Sequence, residues 1–312
     1  MNKVQRCLAA GAAGLMVTSI GVGLGGGPAQ AFGPQLSGWD DAARVAVVND
    51  PVAADGCPIE SPDGKALFFA SVRGPGGDND IWMATRPDLG ANFGEPTMLP
   101  APINTDSQEF CPTPLDGGAL LFVSTRVGTD AYGTAACGLG DIYLTHRDGS
   151  AQGWAEPRNL GCAPNGPNGV GMEYGPSLVH TPRGGFLYFS SGAAAVGAGT
   201  QDIYVSKMSS EMRFGSPSAV ADLNTGFDDF MPNVSRDGRE IVFASSRPGG
   251  QGASDIYTAS AVGYSGKWRD PVNLGPSVNT AGGESRPSLS ADGQRLYFGR
   301  NGDIFVSQRS SG

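Results

Sequence analysis

Histidine and charged residues are both scarce in this sequence, and the shortage of each argues against a class of function. The 312 residues include two histidines, His146 and His180, which leave little for a Ser-His-Asp triad or a histidine-based metal site. The sequence also contains no Gly-x-Ser-x-Gly elbow and no Cys-x-x-Cys pair. We therefore expect no catalytic residue of these types, no metal and no cofactor.

Basic residues are too few to support binding to nucleic acid. Lys and Arg number 21 against 30 Asp and Glu, so the formal net charge is −9, and only 16% of the residues are charged. An acidic surface repels phosphates and anionic lipid headgroups. We expect neither a nucleic-acid partner nor a membrane-surface partner.

Gly and Pro, by contrast, are abundant, at 49 and 23 residues. Because both residues disfavour helix interiors, long regular helices are nearly excluded. The hydrophobic content of 39%, with 14 Phe, 8 Tyr and 4 Trp, is enough for a packed core. The composition predicts a turn-rich globular protein.

Residues 1–31 have the pattern of a signal peptide. Lys3 and Arg6 precede a stretch without charge, and Ala29-Gln30-Ala31 provides a small-x-small cleavage site. A membrane anchor is the alternative, but Gly dilutes the apolar stretch and no cationic cluster follows it. Removing Lys3 and Arg6 leaves 19 basic against 30 acidic residues, a net charge of −11. We predict an acidic, secreted or periplasmic protein with no membrane insertion after cleavage, in which residues 32–38 form a linker.

The remaining chain contains five repeats. An Asp-Ile-aromatic tripeptide recurs in each of them, and upstream of each tripeptide an acid stands three residues before a proline. Those prolines are spaced by 54, 64, 56 and 55 residues, and an Asn stands eight positions before four of them. Three markers in a fixed order at this period indicate a repeat architecture. The prolines are Pro58, Pro112, Pro176, Pro232 and Pro287.

Each repeat is predicted to form four short strands. The second strand is apolar without alternation, as in Leu120-Leu121-Phe122-Val123, which indicates a sheet covered on both faces. With no helices to cover them, the sheets must pack on one another around an axis. The fourth strand of the other repeats is predicted to begin with an aromatic residue and a proline, as in Phe93 to Pro96. The fifth repeat lacks this strand, and the segment from Trp39 to Asn49 has the same pattern, with Ala42 in the proline slot. We predict an all-β, five-bladed β-propeller over residues 39–312, with four antiparallel strands per blade, closed by the N-terminal strand in the last blade.

The repeats also suggest how the four cysteines after the leader pair. Cys57 and Cys111 occupy the same slot in the first two blades, before the proline, and a bond between them would join those blades. Cys137 lies in the long loop of blade two, and Cys162 follows the outer strand of that blade, so their pairing is plausible too. An even number of cysteines in an exported protein favours disulfides.

The clearest repeat resembles the WD40-like (PD40) propeller repeat of the TolB family. It runs from Pro232-Asn233-Val234-Ser235-Arg236-Asp237-Gly238 through Phe243-x-Ser245-x-Arg247 to Asp255-Ile256-Tyr257, and the resemblance covers residues 39–309. TolB itself has more blades and an additional N-terminal α/β domain that has no counterpart here. The resemblance implies an exported protein that binds other molecules, and it implies no reaction.

The repeated acids are the main candidates for a binding site. Fivefold repetition predicts that they lie at equal radius near one mouth of the central channel, and the Phe-x-Ser-x-Arg arginines are their natural partners. The alternatives are fixed acid–arginine pairs and a site for a cation or cationic ligand. Glu173 has Ala193 in the arginine slot and is the carboxylate expected to be free. The candidate ring comprises Asp55, Glu109, Glu173, Asp229 and Glu284 with Arg73, Arg126, Arg247 and Arg300.

Two functions remain open from the sequence. The first is a non-enzymatic binding or scaffold propeller, expected to be a monomer, that recognises a protein, peptide or glycan on the face bearing the long loops. The second is a glycosidase-like enzyme that uses two central carboxylates. Its weakness is that repeat-equivalent acids should have similar pKa values, whereas an acid–base pair needs different ones.

Overall fold

The structure, a computed structural model, describes residues 38–149, 153–192, 201–210 and 212–309. The predicted signal peptide and nearly all of the predicted linker lie outside these residues, as does Ala193. Within the described ranges, no helix is long and apolar enough to cross a membrane.

The described chain forms five antiparallel sheets arranged as the blades of a propeller, which confirms the predicted fold class. A single 3-10 turn, Asp116–Gly118, is the only helical element in the described ranges. The strands are β1 (Ala43–Arg44); in blade I β2 (Asp55–Glu60), β3 (Ala66–Ser71), β4 (Asp80–Thr85) and β5 (Thr97–Met98); in blade II β6 (Glu109–Pro114), β7 (Ala119–Ser124), β8 (Asp141–His146) and β9 (Arg158–Asn159); in blade III β10 (Glu173–Thr181), β11 (Gly184–Ser191), β12 (Asp202–Ser210), β13 (Arg213–Phe214) and β14 (Ser218–Ala219); in blade IV β15 (Asp229–Val234), β16 (Glu240–Ser245), β17 (Asp255–Ala261) and β18 (Trp268–Asn273); and in blade V β19 (Glu284–Leu289), β20 (Arg295–Arg300) and β21 (Asp303–Gln308).

The second strand of each blade is buried on both faces, as its continuous apolar sequence predicts. In β3, β7 and β16, every residue after the first is buried. The hydrophobic clusters lie between neighbouring blades; one of them joins Phe68 and Ile81 of blade I to Leu120 and Phe122 of blade II. Blade-to-blade packing therefore supplies the core that helices supply in other folds.

Blade V is built from both ends of the chain, which confirms the predicted closure. Strand β1 pairs antiparallel with β21, with Arg44 opposite Phe305, and places the N-terminal segment as the outer strand of the sheet. The amide of Val45 donates to the carbonyl of Ile304 at 3.0 Å. With the closing strand, the last blade has the same four-strand order as blades I, II and IV, whereas in blade III the outer strand is divided into β13 and β14.

The side chain of the repeated Asn, which follows the outer strand, hydrogen-bonds to the backbone of the third strand in each blade. Asn104 is buried, and its side chain accepts from the amide of Ile81 at 2.8 Å and donates to the carbonyl of the same residue at 2.9 Å. The side chain thus takes the place of one rung in the ladder of the third strand. The equivalent pairs are Asn49–Ile304, Asn168–Ile142, Asn224–Ile203 and Asn279–Ile256.

The outer strands are shorter than the sequence pattern predicts. In blades I and II, pairing begins only after the proline, at Thr97 and Arg158, because a proline has no N–H to donate to the ladder. Blade IV is different, since β18 runs from Trp268 and includes Pro271.

Candidate functional site

The two ends of the central channel differ in the connections that surround them. At one end, here called the loop face, lie the loops between the second and third strands. At the other end, the hairpin face, lie the turns between the first and second strands. Asp55 opens the inner strand β2 opposite Ser71, at the loop face, whereas Glu60 ends it at the hairpin face.

The five repeated acids all lie at the loop-face ends of the inner strands, and each is buried. Four of them form ion pairs with an arginine of their own blade. Asp55 meets Arg73 at 2.5 Å, and Glu284 meets Arg300 at 2.7 Å, although Arg300 stands two positions early in the sequence. The pairs in blades II and IV are Glu109–Arg126 at 3.3 Å and Asp229–Arg247 at 2.5 Å.

Each arginine also fixes its blade to the segment that precedes it. Arg247 donates to Asp229 and to the carbonyl of Leu223, which stands directly before the repeated Asn. Its guanidinium lies 5.1 Å from the ring centroid of Phe243 and 4.9 Å from that of Tyr257. A guanidinium held by a carboxylate, a carbonyl and two aromatic rings is here called an arginine unit. Its bonds are internal, so in these four blades the carboxylate is already neutralised.

Glu173 is the carboxylate without an arginine. It accepts hydrogen bonds from the amide of Gly169 at 2.9 Å and from the hydroxyl of Ser191 at 3.2 Å, both at Oε1, while Oε2 is buried and has no partner. Burial raises the pKa of Glu173 to about 7; the charge of Asp141 acts in the same direction, and the two hydrogen bonds oppose it only in part. Glu173 therefore differs chemically from the other four acids.

The middle of the channel is filled by the residues that stand directly before the repeated prolines. These residues share a positive φ, between 47° and 58°, at a bulge in each inner strand. At this bulge a Cβ on Gly175 would lie 2.8 Å from the Cα of Met231, which explains the glycine in blade III. The five residues are Cys57, Cys111, Gly175, Met231 and Arg286.

Arg286 crosses this layer from blade V and is fully buried. It donates to the hydroxyl of Thr113 at 3.0 Å and to the carbonyls of Pro176 and Pro232, both at 3.3 Å. Burial lowers the pKa of Arg286 to about 9. The side chain thus links blade V to blades II, III and IV at the axis. Alignment of the repeats gives the signal that could have found it, because Arg286 occupies the slot of Cys57 and Cys111.

Two cysteine pairs lie at disulfide distance. Cys57 and Cys111 have Cα atoms 4.8 Å apart and join blades I and II in the channel. Cys137 and Cys162, which are 25 positions apart in the sequence, have Cα atoms 5.3 Å apart and join two segments of blade II.

A large cavity opens at the hairpin face. It has a volume of about 720 Å³ and draws its walls from all five blades. Apolar residues such as Leu144, Leu178 and Leu289 line it together with the polar side chains of Ser177 and Asn233. No Phe, Tyr or Trp is among the described residues that line it. Its size and mixed lining are those of a ligand site.

The two histidines lie in the wall of this cavity, although they belong to different blades. Both are exposed, and both line the same cavity, because the end of β8 and the hairpin of blade III meet at the hairpin face. Near them, Arg236 and Asp116 form an exposed ion pair at 3.0 Å. No linear motif could have indicated this proximity, since the histidines do not occupy a shared repeat position.

The carboxylates that line the cavity are already engaged. Glu60 is buried and is held by Arg86, by Arg295 at 2.9 Å and by the hydroxyl of Tyr297 at 3.0 Å. Asp116 is exposed and forms the ion pair described above. In the described ranges, no group of three or more His, Cys, Asp or Glu side chains could hold a metal ion.

The loop face has a smaller hollow, of about 310 Å³. It is lined by Phe110, Met172, Tyr174 and Met231, so it is largely apolar. This is the face of the long loops, on which the sequence analysis expects the binding site, and one of these loops, residues 192–202, lies largely outside the described residues.

Tryptophans near the rim pack into the protein. Trp154 and Trp268 are buried, and Arg147 lies 4.0 Å from the ring of Trp154. Trp39 is covered by Arg309 at 4.2 Å. Core packing therefore accounts for these three rings.

The comparisons with known proteins identify a fold class. No family model matches the sequence, and no match is found among curated protein sequences. The chain is similar in structure to the α-L-arabinofuranosidase from Lactobacillus brevis, with a TM-score of 0.55 and 13% identity over 86% of this chain and 94% of that one. It is also similar to the GH43 endo-arabinanase from Bacillus licheniformis, with a TM-score of 0.51 and 15% identity over 84% and 95% of the two chains.

The similarity to TolB is weaker. TolB from Acinetobacter baumannii matches with a TM-score of 0.45 and 17% identity over 87% of this chain and 55% of that one. The structural neighbours thus include both glycoside hydrolases and TolB proteins. At these identities they show the fold alone: the chain is a five-bladed β-propeller.

Proposed function

We propose that this protein is an exported, non-enzymatic binding propeller that takes a peptide segment, free or part of a protein, in the central cavity at the hairpin face. The observation that carries the proposal is the 720 Å³ cavity with walls from all five blades. The candidate signal peptide and the two cysteine pairs support export, because disulfides persist in oxidising compartments.

The lining of the cavity favours a peptide over a glycan. Apolar side chains can receive the side chains of a peptide, while Asn233, Ser177 and the histidines offer hydrogen bonds to its backbone. Sugar rings are commonly held by stacking on aromatic faces, and the described lining offers none. This choice moves the site from the loop face, where the sequence analysis put it, to the opposite end of the channel.

A selection from a random peptide library displayed on phage tests the proposal. We expect peptides enriched on the wild-type protein to lose binding to Ala291→Trp, which places an indole at the exposed wall of the cavity. The matched control is Ala131→Trp, an exposed position in the β7–β8 loop at the loop face, which should leave binding unchanged. Failure to enrich any peptide, or equal binding to both variants, would contradict the proposal.

The glycosidase alternative is favoured by one observation, the unpaired and proton-binding Glu173. A glycosidase needs two carboxylates that reach the substrate. Glu173 and Glu109 are both fully buried, and Glu109 is tied to Arg126, which is why we place binding first. Release of sugar from a glycan panel by the purified protein, abolished in the double variant Glu173→Gln with Glu109→Gln, would instead support the enzyme.

A further inference from the structure

Four blades hold a guanidinium in the same way. In each arginine unit, the carboxylate and the carbonyl before the repeated Asn accept hydrogen bonds, and two aromatic rings lie beside the cation. In blade II the guanidinium of Arg126 lies 5.4 Å from the ring of Phe122 and 5.0 Å from that of Tyr143. In blade V Arg300 lies 5.2 Å and 4.4 Å from the equivalent rings. The unit is thus a guanidinium receptor that the chain fills with its own side chain.

Blade III has the receptor without this arginine. Phe189 and Tyr204 stack with centroids 6.1 Å apart, as Phe122 and Tyr143 do at 6.0 Å. Ser191 stands where the serines of the units in blades I, II and IV stand, and Glu173 provides the carboxylate. The sequence carries Ala193 at the arginine position.

A second partner of the carboxylate is missing from blade III as well. In blades II, IV and V a threonine hydroxyl donates to the acid; that of Thr105 reaches Glu109 at 2.9 Å. Gly169 occupies this position in blade III and offers only its amide. Oε2 of Glu173 is consequently buried without a partner. An unpaired buried acceptor is costly, and a donor that reaches it is favoured by the same amount.

We propose that blade III binds the guanidinium of another molecule, the side chain of an arginine in a partner peptide or protein. Glu173 would accept a charge-assisted hydrogen bond at Oε2, and the faces of Phe189 and Tyr204 would cover the planar cation. Lysine fits less well, because an ammonium cannot bind in the plane and stack at once.

The site lies near the surface of the loop face. In the four filled units the arginine side chain keeps 12 to 19% of its surface exposed, so the guanidinium lies just below that surface. In blade III itself Glu173 is fully buried and Phe189 is 1% exposed, so an arginine side chain that enters from the loop face must displace the groups that cover them. This face is opposite the central cavity, so the outcome here is independent of the peptide-binding proposal.

Isothermal titration with Nα-acetyl-arginine amide at pH 8 tests the inference. We expect one saturable site on the wild-type protein. Glu173→Gln, which is nearly isosteric, should weaken binding about tenfold or more through loss of the charge-assisted bond. Ala193→Arg, which restores the sequence of the other blades, should also remove binding, and it provides a second variant if Glu173→Gln does not fold.

The chain offers a matched positive control in blade IV. Arg247→Ala empties an arginine unit whose walls are intact, and it should raise the stoichiometry from one site to two. Absence of binding to the wild-type protein overturns the proposal, whatever the control does. Equal binding of Nα-acetyl-lysine amide, or unchanged binding to Glu173→Gln, overturns the assignment as well.

Discussion

The unpaired carboxyl of Glu173 should make the stability of the protein depend on pH in a way that a single substitution removes. The pKa of Glu173 rises from the ordinary 4.5 to about 7 in the folded chain, mainly because the group is buried. Below pH 4.5 the carboxyl is protonated in both the folded and the unfolded chain, and it imposes no penalty. Above pH 7 the folded chain must hold an unpaired charge, so stability falls as the pH rises through this window.

The size of the effect follows from the pKa difference. A change from 4.5 to about 7 corresponds to about 3 kcal/mol of unfolding free energy, which is an upper value because the folded chain can relax around the charge. Asp141, the other titratable group that acts on Glu173, has its own pKa raised by burial and titrates in the same direction. Comparison of the wild type with Glu173→Gln at each pH isolates the contribution of Glu173.

Urea denaturation between pH 4.5 and 8.5 is the assay. We expect the unfolding free energy of Glu173→Gln to rise relative to that of the wild type as the pH rises, so that the variant is the more stable protein at pH 8. The matched control is Glu109→Gln, which leaves Arg126 without its carboxylate and should destabilise the protein by about 1–3 kcal/mol. If the difference between Glu173→Gln and the wild type does not change with pH, or if the wild type is the more stable at pH 8, the account of Glu173 is wrong.

Three further variants, one of them a double substitution, test how the blades are held together. Asn279→Ala leaves the amide of the buried Ile256 without a partner and removes one of the two donors to its carbonyl, the other being the amide of Leu274, and should cost about 1–3 kcal/mol in urea denaturation. The exposed Asn165→Ala should change stability by less than about 0.5 kcal/mol. Val45→Pro removes the amide that donates to β21 and should cost about 3 kcal/mol of unfolding free energy. Hydrogen exchange should then be faster in β21 than in β16, and equal exchange in both strands would argue against closure by β1. Replacing Cys137 and Cys162 by Ser removes the cross-link between two residues 25 positions apart, and it should lower stability by about 3 kcal/mol in the absence of reductant. An unchanged thermal midpoint would contradict the presence of this disulfide.

The architecture could be predicted because its markers are local and are repeated. The Asp-Ile-aromatic strand, the apolar second strand and the Asn each report on a contact within one blade or with its neighbour, and five copies remove the ambiguity of any single copy. The pattern in Trp39–Asn49 identified the closing strand for the same reason. The length of the outer strands was predicted less well, because in blades I and II the strand begins only after the proline.

The site could be predicted only in part, because a cavity on the axis has no local signature. Its walls come from residues about one repeat apart, and its chemistry depends on positions that vary between repeats. His146 and His180 belong to different repeat positions, so no alignment brings them together. Glu173 is the opposite case, since the absence of its arginine is visible in the aligned sequence, whereas its orphaned oxygen is visible only in the structure.

The composite last blade also constrains the order of events during folding. Strand β1 is synthesised before blades I to IV and its partner β21 after them, so β1 has no strand to pair with while those blades are made. Blades I to IV can assemble from contiguous stretches of chain, but the ring cannot close until β21 is available. The pairing that gives the molecule its circular continuity therefore has the longest sequence separation in the propeller, and contacts of that kind are the costliest in chain entropy.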